Sequence, residues 1–77
     1  MSEIKIVSQS AHPLGGHFLA LRPDGQWLAG KDEARARPFD SAQAVVDAFH
    51  PLALAGAHWA WNICYAVEDA CAEEGAG

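Results

Sequence analysis

The chain has 77 residues, 51% of them hydrophobic, and a formal net charge of −5 at pH 7. A chain this short buries only about 60% of its unfolded surface, so it has little room for an enclosed active-site cleft. Its negative charge disfavours nucleic-acid binding, which needs a stripe of basic residues, and no apolar run reaches the ~18 residues that a membrane span requires.

The first half of the chain has the pattern of antiparallel strands. Residues 4–9 alternate, with Ile4 and Ile6 on one face, which predicts a half-buried first strand, and a loop is expected at residues 11–16. Residues 17–21 and 26–30 flank a Pro-Asp-Gly turn and predict a β-hairpin. Residues 34–39 predict a short further strand at a sheet edge, because Pro38 has no backbone N–H.

The second half has the pattern of two helices. Asp40 suits the N-cap of the first helix with Gln43 as its capping-box partner, and His50-Pro51 should end that helix. The second helix is predicted over residues 57–74. Its core-facing stripe is Trp59, Ile63, Ala66, Val67 and Ala70. The predicted order is β-β-β-(β)-α-α in a single α+β domain that covers residues 1–77.

A second aromatic stripe on the later helix has two interpretations. Trp61 and Tyr65 lie one turn apart, followed by Glu68. Aromatic residues at helical spacing are usually core, here gripped by both the sheet and the first helix. The alternative is a protein interface, where Trp and Tyr are enriched, including the interface of a homodimer.

Charge is divided unevenly along the chain. Residues 1–37 hold five bases against four acids, a net charge of +1, whereas residues 38–77 hold six acids and no base, a net charge of −6. Net charge governs association more than folding, so the division predicts a partner with a basic surface. Four of the acids, Glu68, Asp69, Glu73 and Glu74, crowd the end of the second helix, where the helix dipole is already negative.

Catalytic and metal motifs are not found in the sequence. The four His and two Cys are scattered over three predicted elements without ligand spacing, and no nucleophile or phosphate-loop motif is present. Cys64 and Cys71 are seven residues apart on one predicted helix, too far to bridge, which predicts free thiols in a reducing compartment. We therefore expect a binding protein without enzymatic activity, metal or cofactor.

Several segments resemble one known family. The entry to the first helix, Ala36–Ser41, is the most specific of them, and Ile4–Ser8, Ala11-His12 and the Asp24-Gly25 turn have counterparts with some differences in loop length. Together they resemble the small type I-F anti-CRISPR proteins of Pseudomonas phages, over nearly the whole chain.

The resemblance implies a fold, a partner and contact residues. The implied fold is an antiparallel sheet of three to four strands packed on two antiparallel helices. The implied activity is stoichiometric binding to the repeated backbone subunits of a crRNA-guided surveillance complex (Cascade), which blocks target DNA, in the cytoplasm of a bacterial host. In the family, two tyrosines and a glutamate on the sheet side make the contacts. The glutamate falls near Glu33, and the tyrosines correspond to Ile6 and Leu21, so both aromatic anchors are missing.

Two surfaces therefore compete as the partner-binding site. The sheet side, with Asp32 and Glu33 beside Ile6 and Leu21, is favoured narrowly by the resemblance. The helix end is favoured by charge density, and its candidates are Glu68 and Asp69 with Glu73 and Glu74. Trp61 and Tyr65, in the stripe on the first turns of the same helix, are the further partner-binding candidates. The expected partner is a basic protein subunit, with no direct nucleic-acid binding and no membrane. An antitoxin-like or regulatory protein-binding module is the alternative function.

Overall fold

The computed structural model describes residues 3–11 and 16–76, with side chains up to Ala72. It has four strands, a one-turn 3₁₀ helix (Glu33–Arg35) and two α-helices. The bounds are β1 Lys5–Ser10, β2 His17–Leu21, β3 Trp27–Gly30, β4 Arg37–Phe39, α1 Ala42–Leu54 and α2 His58–Ala76. The strands form one antiparallel sheet in the order β1-β2-β3-β4, which confirms the predicted α+β order. Most of the loop predicted at residues 11–16 lies outside the described residues.

The β2–β3 hairpin forms around the predicted Pro-Asp-Gly turn. Gly25 has φ 92°, a backbone conformation that glycine adopts without steric cost. Its N–H donates to the carbonyl of Arg22 at 3.0 Å, and the Asp24 carboxylate accepts the N–H of Gln26 at 2.9 Å. Backbone and side-chain bonds therefore both close the turn.

The fourth strand is shorter than the predicted segment. Residues 33–35 form the 3₁₀ helix, and only Arg37–Phe39 pair with β3, with Pro38 opposite Leu28. As predicted, this proline-containing strand lies at an edge of the sheet, where a missing N–H costs least.

The predicted cap of α1 is wrong by one residue. Ser41, not Asp40, is the N-cap, and its hydroxyl accepts the N–H of Ala44 at 3.1 Å. The Asp40 carboxylate instead accepts the side-chain amide of Gln26 at 3.4 Å, and Gln43 donates to Asp47 at 2.9 Å. Asp40 is thereby engaged with the hairpin, and no capping box forms at Gln43.

The predicted end of α1 is also wrong. The helix continues through Pro51 to Leu54, and Gly56 ends it with φ 114° while its N–H donates to Ala53 at 3.1 Å. Ala53 is buried in the core. Tertiary packing of this last turn compensates for the hydrogen bond that a proline cannot donate.

The core lies between one face of the sheet and the two helices. Its buried members are Leu19, Trp27, Ala29, Val45, Phe49, Ala53, Ala60, Ile63, Cys64 and Val67. Ile63 and Val67 confirm the predicted stripe of α2, whereas Trp59, Ala66 and Ala70 pack at the margin of the core. None of the described helices is long and apolar enough to cross a membrane.

A β-bulge in β1 changes which of its residues face the helices. Ile6 pairs with Ala20, but the next pair is Ser8 with Leu19, so Val7 is the extra residue. Val7 packs against the core, whereas Ile4 and Ile6 are 48% and 46% exposed. The predicted alternation is present, but its larger apolar residues face away from the helices.

Candidate functional site

The sheet face opposite the helices carries a groove that we call the outer-face groove. Its lining residues are Ile4, Ile6, Phe18, Leu28, Glu33 and Ala36. Phe18 alternates with the core residue Leu19, and Leu28 lies between the core residues Trp27 and Ala29, so both project from the other side of the sheet. The groove is therefore built from alternate residues of three neighbouring strands and from the segment around the 3₁₀ helix.

Apolar exposure is concentrated at one side of this groove. Ile4 and Ile6 are each nearly half exposed, although Phe18 on the neighbouring strand is 4% exposed. Isolated exposed aliphatic residues are ordinary, but a contiguous apolar groove with a charged rim is typical of a protein interface. The outer-face groove has both features.

Of the two acidic residues that the sequence singled out, Glu33 lies at the rim of the outer-face groove and Asp32 does not line it. Asp32 caps the 3₁₀ helix by accepting the N–H of Arg35 at 2.8 Å, and its other oxygen lies 3.7 Å from Nε of Arg35. Glu33 is exposed and lines the outer-face groove. Asp32 is therefore occupied by local contacts, and Glu33 is the better placed acid for a partner.

Leu21 does not belong to the same surface as Ile6. Ile6 lies opposite Ala20 across the β1–β2 pair, and successive residues of a strand point to opposite faces. Leu21 accordingly packs against the helix-side core and lines a separate groove between β1 and α2, which Asp69 also lines and Ile6 borders. The structure thus brings together Ile6 and Glu33 but places the side chain of Leu21 on the other face.

The partner-binding residues predicted on the second helix do not form one surface. Trp61 stacks on Tyr65 with ring centroids 5.8 Å apart, and its ring meets His50 of α1 edge to face at 5.5 Å. Trp61 is partly buried against the core, whereas Tyr65 is 55% exposed. The aromatic stripe is therefore half core and half surface, between the two interpretations of the sequence.

Glu68 and Asp69 also face different surroundings. Burial raises the pKa of the Cys64 thiol, and the nearby charge of Glu68 raises that pKa further. Asp69 lies in the groove between β1 and α2. The side chains of Glu73 and Glu74 lie outside the described part of the chain.

The structure contains a polar pair that the sequence did not reveal. The Ser8 hydroxyl lies 2.7 Å from Nε2 of His17, while Nδ1 of the same ring is buried and has no partner among the described residues. Burial lowers the pKa of His17. Ser8 and His17 become neighbours through the register of β1 and β2, which single-strand alternation does not predict.

Groups with the chemistry of a metal centre are not found in the described residues, where no cluster of three or more His, Cys, Asp or Glu could hold an ion. Cys64 is buried and Cys71 is exposed, and both are free.

The sequence missed Phe18, Leu28 and Ala36 as residues of the outer-face groove, although alternation along the hairpin could have identified the first two.

Comparisons with protein-family models, with curated proteins and with solved structures found no match to this chain.

Proposed function

We propose that this chain is a stoichiometric inhibitor that binds a type I CRISPR–Cas surveillance complex through its outer-face groove and blocks target DNA binding. The observation that carries the proposal is the apolar groove with Glu33 at its rim, on the side of the sheet that is used by the family the sequence resembles. The partner is a basic backbone subunit of the complex. Such a partner places the protein in the cytoplasm of a bacterial host.

Apolar contact and charge have separate roles in this binding mode. Ile4 and Ile6 supply apolar surface that a partner can bury, in place of aromatic anchors. Glu33 faces a basic surface of the partner and steers association, so the association rate falls as salt is added. Asp32 contributes less because Arg35 already lies beside it.

The proposal requires neither catalysis nor direct contact with nucleic acid. An acidic protein that occupies a basic nucleic-acid-facing groove excludes the nucleic acid by competition. The net charge of −5 agrees with this mode of action. Inhibition should therefore saturate at a fixed ratio of inhibitor to complex.

The direct test is co-elution of the protein with purified type I surveillance complexes on a sizing column, together with a DNA-binding assay. Ile6→Asp and Glu33→Lys should each abolish co-elution and restore DNA binding. Glu68→Lys is the matched control, because it makes the same charge change on α2, away from the groove. Its binding should remain within about twofold of the wild type.

Two outcomes would contradict the proposal. Loss of binding with Glu68→Lys but not with Glu33→Lys would move the site to α2. A wild-type protein that binds no type I complex would favour the antitoxin-like alternative.

A further inference from the structure

Another groove gathers most of the positive charge of the chain. Three of the five basic residues, Lys31, Arg35 and Arg37, line it where β3 and β4 meet the helices. The remaining lining residues are Ala29, Gly30, Phe49 and Trp59. We call this the basic groove. Among the residues that the structure describes, its lining has cationic and apolar members and no Asp or Glu.

A close backbone approach brings the three cations together. A Cβ at Gly30 would lie 2.7 Å from the carbonyl oxygen of Arg35 and 2.9 Å from Cα of Ala36, so only glycine lets the 3₁₀ helix pack here. This contact sets Arg35 beside the end of β3, which Lys31 follows directly. Arg37 lies opposite Ala29 in the β3–β4 register. The cations come from three consecutive segments and converge through tertiary contacts.

The cations keep most of their hydrogen-bonding capacity. Asp32 lies 3.7 Å from Nε of Arg35, but both side chains are more than half exposed, so the pair is weak. It is the one salt bridge found within residues 3–11 and 16–72. The terminal guanidinium groups of Arg35 and Arg37 and the Lys31 ammonium can donate to the oxygens of an anion.

The apolar side of the groove is held in place by aromatic packing. Trp59 meets Phe49 edge to face at 5.8 Å, and Phe49 meets Phe39 in the same way at 5.6 Å. Trp59 remains partly exposed while it packs on the core. A flat ligand can bury its ring against such a surface at little entropic cost, because the aromatic side chains are already held in position.

We infer that the basic groove binds a mononucleotide-sized ligand, a planar ring that carries one phosphate. Arg and Lys donors match the phosphate, and the aromatic side matches the ring. The net negative charge of the protein limits the size of the ligand. A long polyanion would extend past the three cations onto a protein whose net charge is −5, whereas a single phosphate meets only the groove. The inference concerns a surface separate from the outer-face groove and does not depend on the proposed function.

The test uses the wild-type chain and adenosine monophosphate as the probe. The Trp59 indole N–H signal, assigned with Trp59→Phe, is followed by NMR during titration. Adenosine monophosphate should shift this signal saturably at millimolar concentrations or below. Adenosine alone and inorganic phosphate alone should each bind at least about tenfold more weakly, because each lacks one of the two matched parts.

Variants then locate the site. Arg37→Ala and Lys31→Ala should each weaken binding about tenfold, the loss expected for one hydrogen bond to a charged group. Lys5→Ala is the matched control on β1, which does not line the basic groove, and should leave binding unchanged. Arg37 is exposed, so its variant should keep the wild-type melting temperature.

Each remaining outcome would overturn the inference. If adenosine monophosphate gave no saturable shift, a mononucleotide would be excluded as the ligand of the basic groove. If inorganic phosphate bound as tightly as the nucleotide, the planar ring of the ligand would contribute nothing to binding. If a ten-nucleotide strand or an acidic peptide bound more tightly, the ligand of the groove would be a polymer and not a mononucleotide.

Discussion

Ile6 lies directly opposite Ala20 across the β1–β2 ladder, while its neighbour Val7 is the extra residue of the bulge and packs on the core. Two adjacent aliphatic residues therefore serve different surfaces. Ile6 borders the outer-face groove, and Val7 helps to close the hydrophobic core beneath the helices. The difference between them can be measured.

Placing a carboxylate at each of these two positions should give opposite results. Val7→Asp should lower the melting temperature, because a charge would replace an apolar side chain that is partly buried against the core. Ile6→Asp should leave the protein folded with a melting temperature within a few degrees of the wild type, since Ile6 is nearly half exposed. Thermal melts followed by circular dichroism compare them. Equal destabilisation would show that Ile6 is also core.

Truncation of the Trp61–Tyr65 stack should have unequal effects. Trp61→Ala should cost about 2 kcal/mol, roughly half the value for a fully buried aromatic residue, because Trp61 is only partly buried. Tyr65→Ala should cost less than about 1 kcal/mol. Chemical denaturation measures both. Sedimentation of the same proteins reports self-association, and a wild-type dimer that Tyr65→Ala converts to a monomer would assign the exposed ring to that contact.

The two thiols should react at different rates. Cys71 is exposed and should react with a thiol reagent within the mixing phase, whereas Cys64 is buried and its raised pKa lowers the fraction of reactive thiolate. Cys71→Ser should remove the fast phase and Cys64→Ser the slow one. Equal rates in the native protein, or an intrachain disulfide found by mass spectrometry without reductant, would contradict the packing of α2.

The stability of the protein should depend on the protonation of His17. Burial holds the pKa of His17 below the ordinary histidine value of 6.5, so the unfolded chain takes up the proton first as pH falls. The stabilising effect of the neutral ring is thus complete above pH 6.5 and is lost as pH falls from there through the folded pKa. Melting temperatures between pH 7.5 and pH 5.5 should show this loss.

A matched pair of variants isolates this effect. His17→Asn should remove that part of the pH dependence, and His50→Asn, at an exposed position, should retain it. A wild-type slope that survives in His17→Asn would assign the pH dependence to another group.

Replacement of Gly30 should be much more disruptive than replacement of Gly25. At Gly30 a Cβ would meet backbone atoms of Arg35 and Ala36, which cannot move without displacing the 3₁₀ helix. At Gly25 the Cβ would meet no atom of the described residues within 4 Å, and its positive φ opposes alanine at a cost of about 1 kcal/mol. Gly30→Ala should therefore lower the melting temperature further and also weaken binding in the basic groove. Similar melts for the two variants would contradict the close approach.

Local chemistry predicted the parts of the fold that short segments determine. The Pro-Asp-Gly turn located the hairpin, and the polar residues before α1 located its start to within one residue. The continuation of α1 past Pro51 could not be predicted in this way. It depends on the burial of Ala53, a tertiary contact that a single segment does not contain.

The candidate site was predicted only in part for the same reason. Glu33 and Ile6 line one groove, but the side chain of Leu21 lies on the other face of the sheet. Its face is set by the register of β2 against β1, and a strand pattern alone does not fix which face is covered. Phe18 and Leu28 follow from alternation once the helix-covered face is known.

The apolar face of the sheet is synthesised before the helices that cover it. The sheet is complete after Phe39, but α2, which packs on β1 and β2, follows only at His58–Ala76. Until α2 has formed, Leu19 and Trp27 lack their contacts with it, so the nascent sheet exposes part of its apolar face. Native packing is thus completed only once residues 58–76 have also been synthesised, and a chain that stops within α2 should be aggregation-prone.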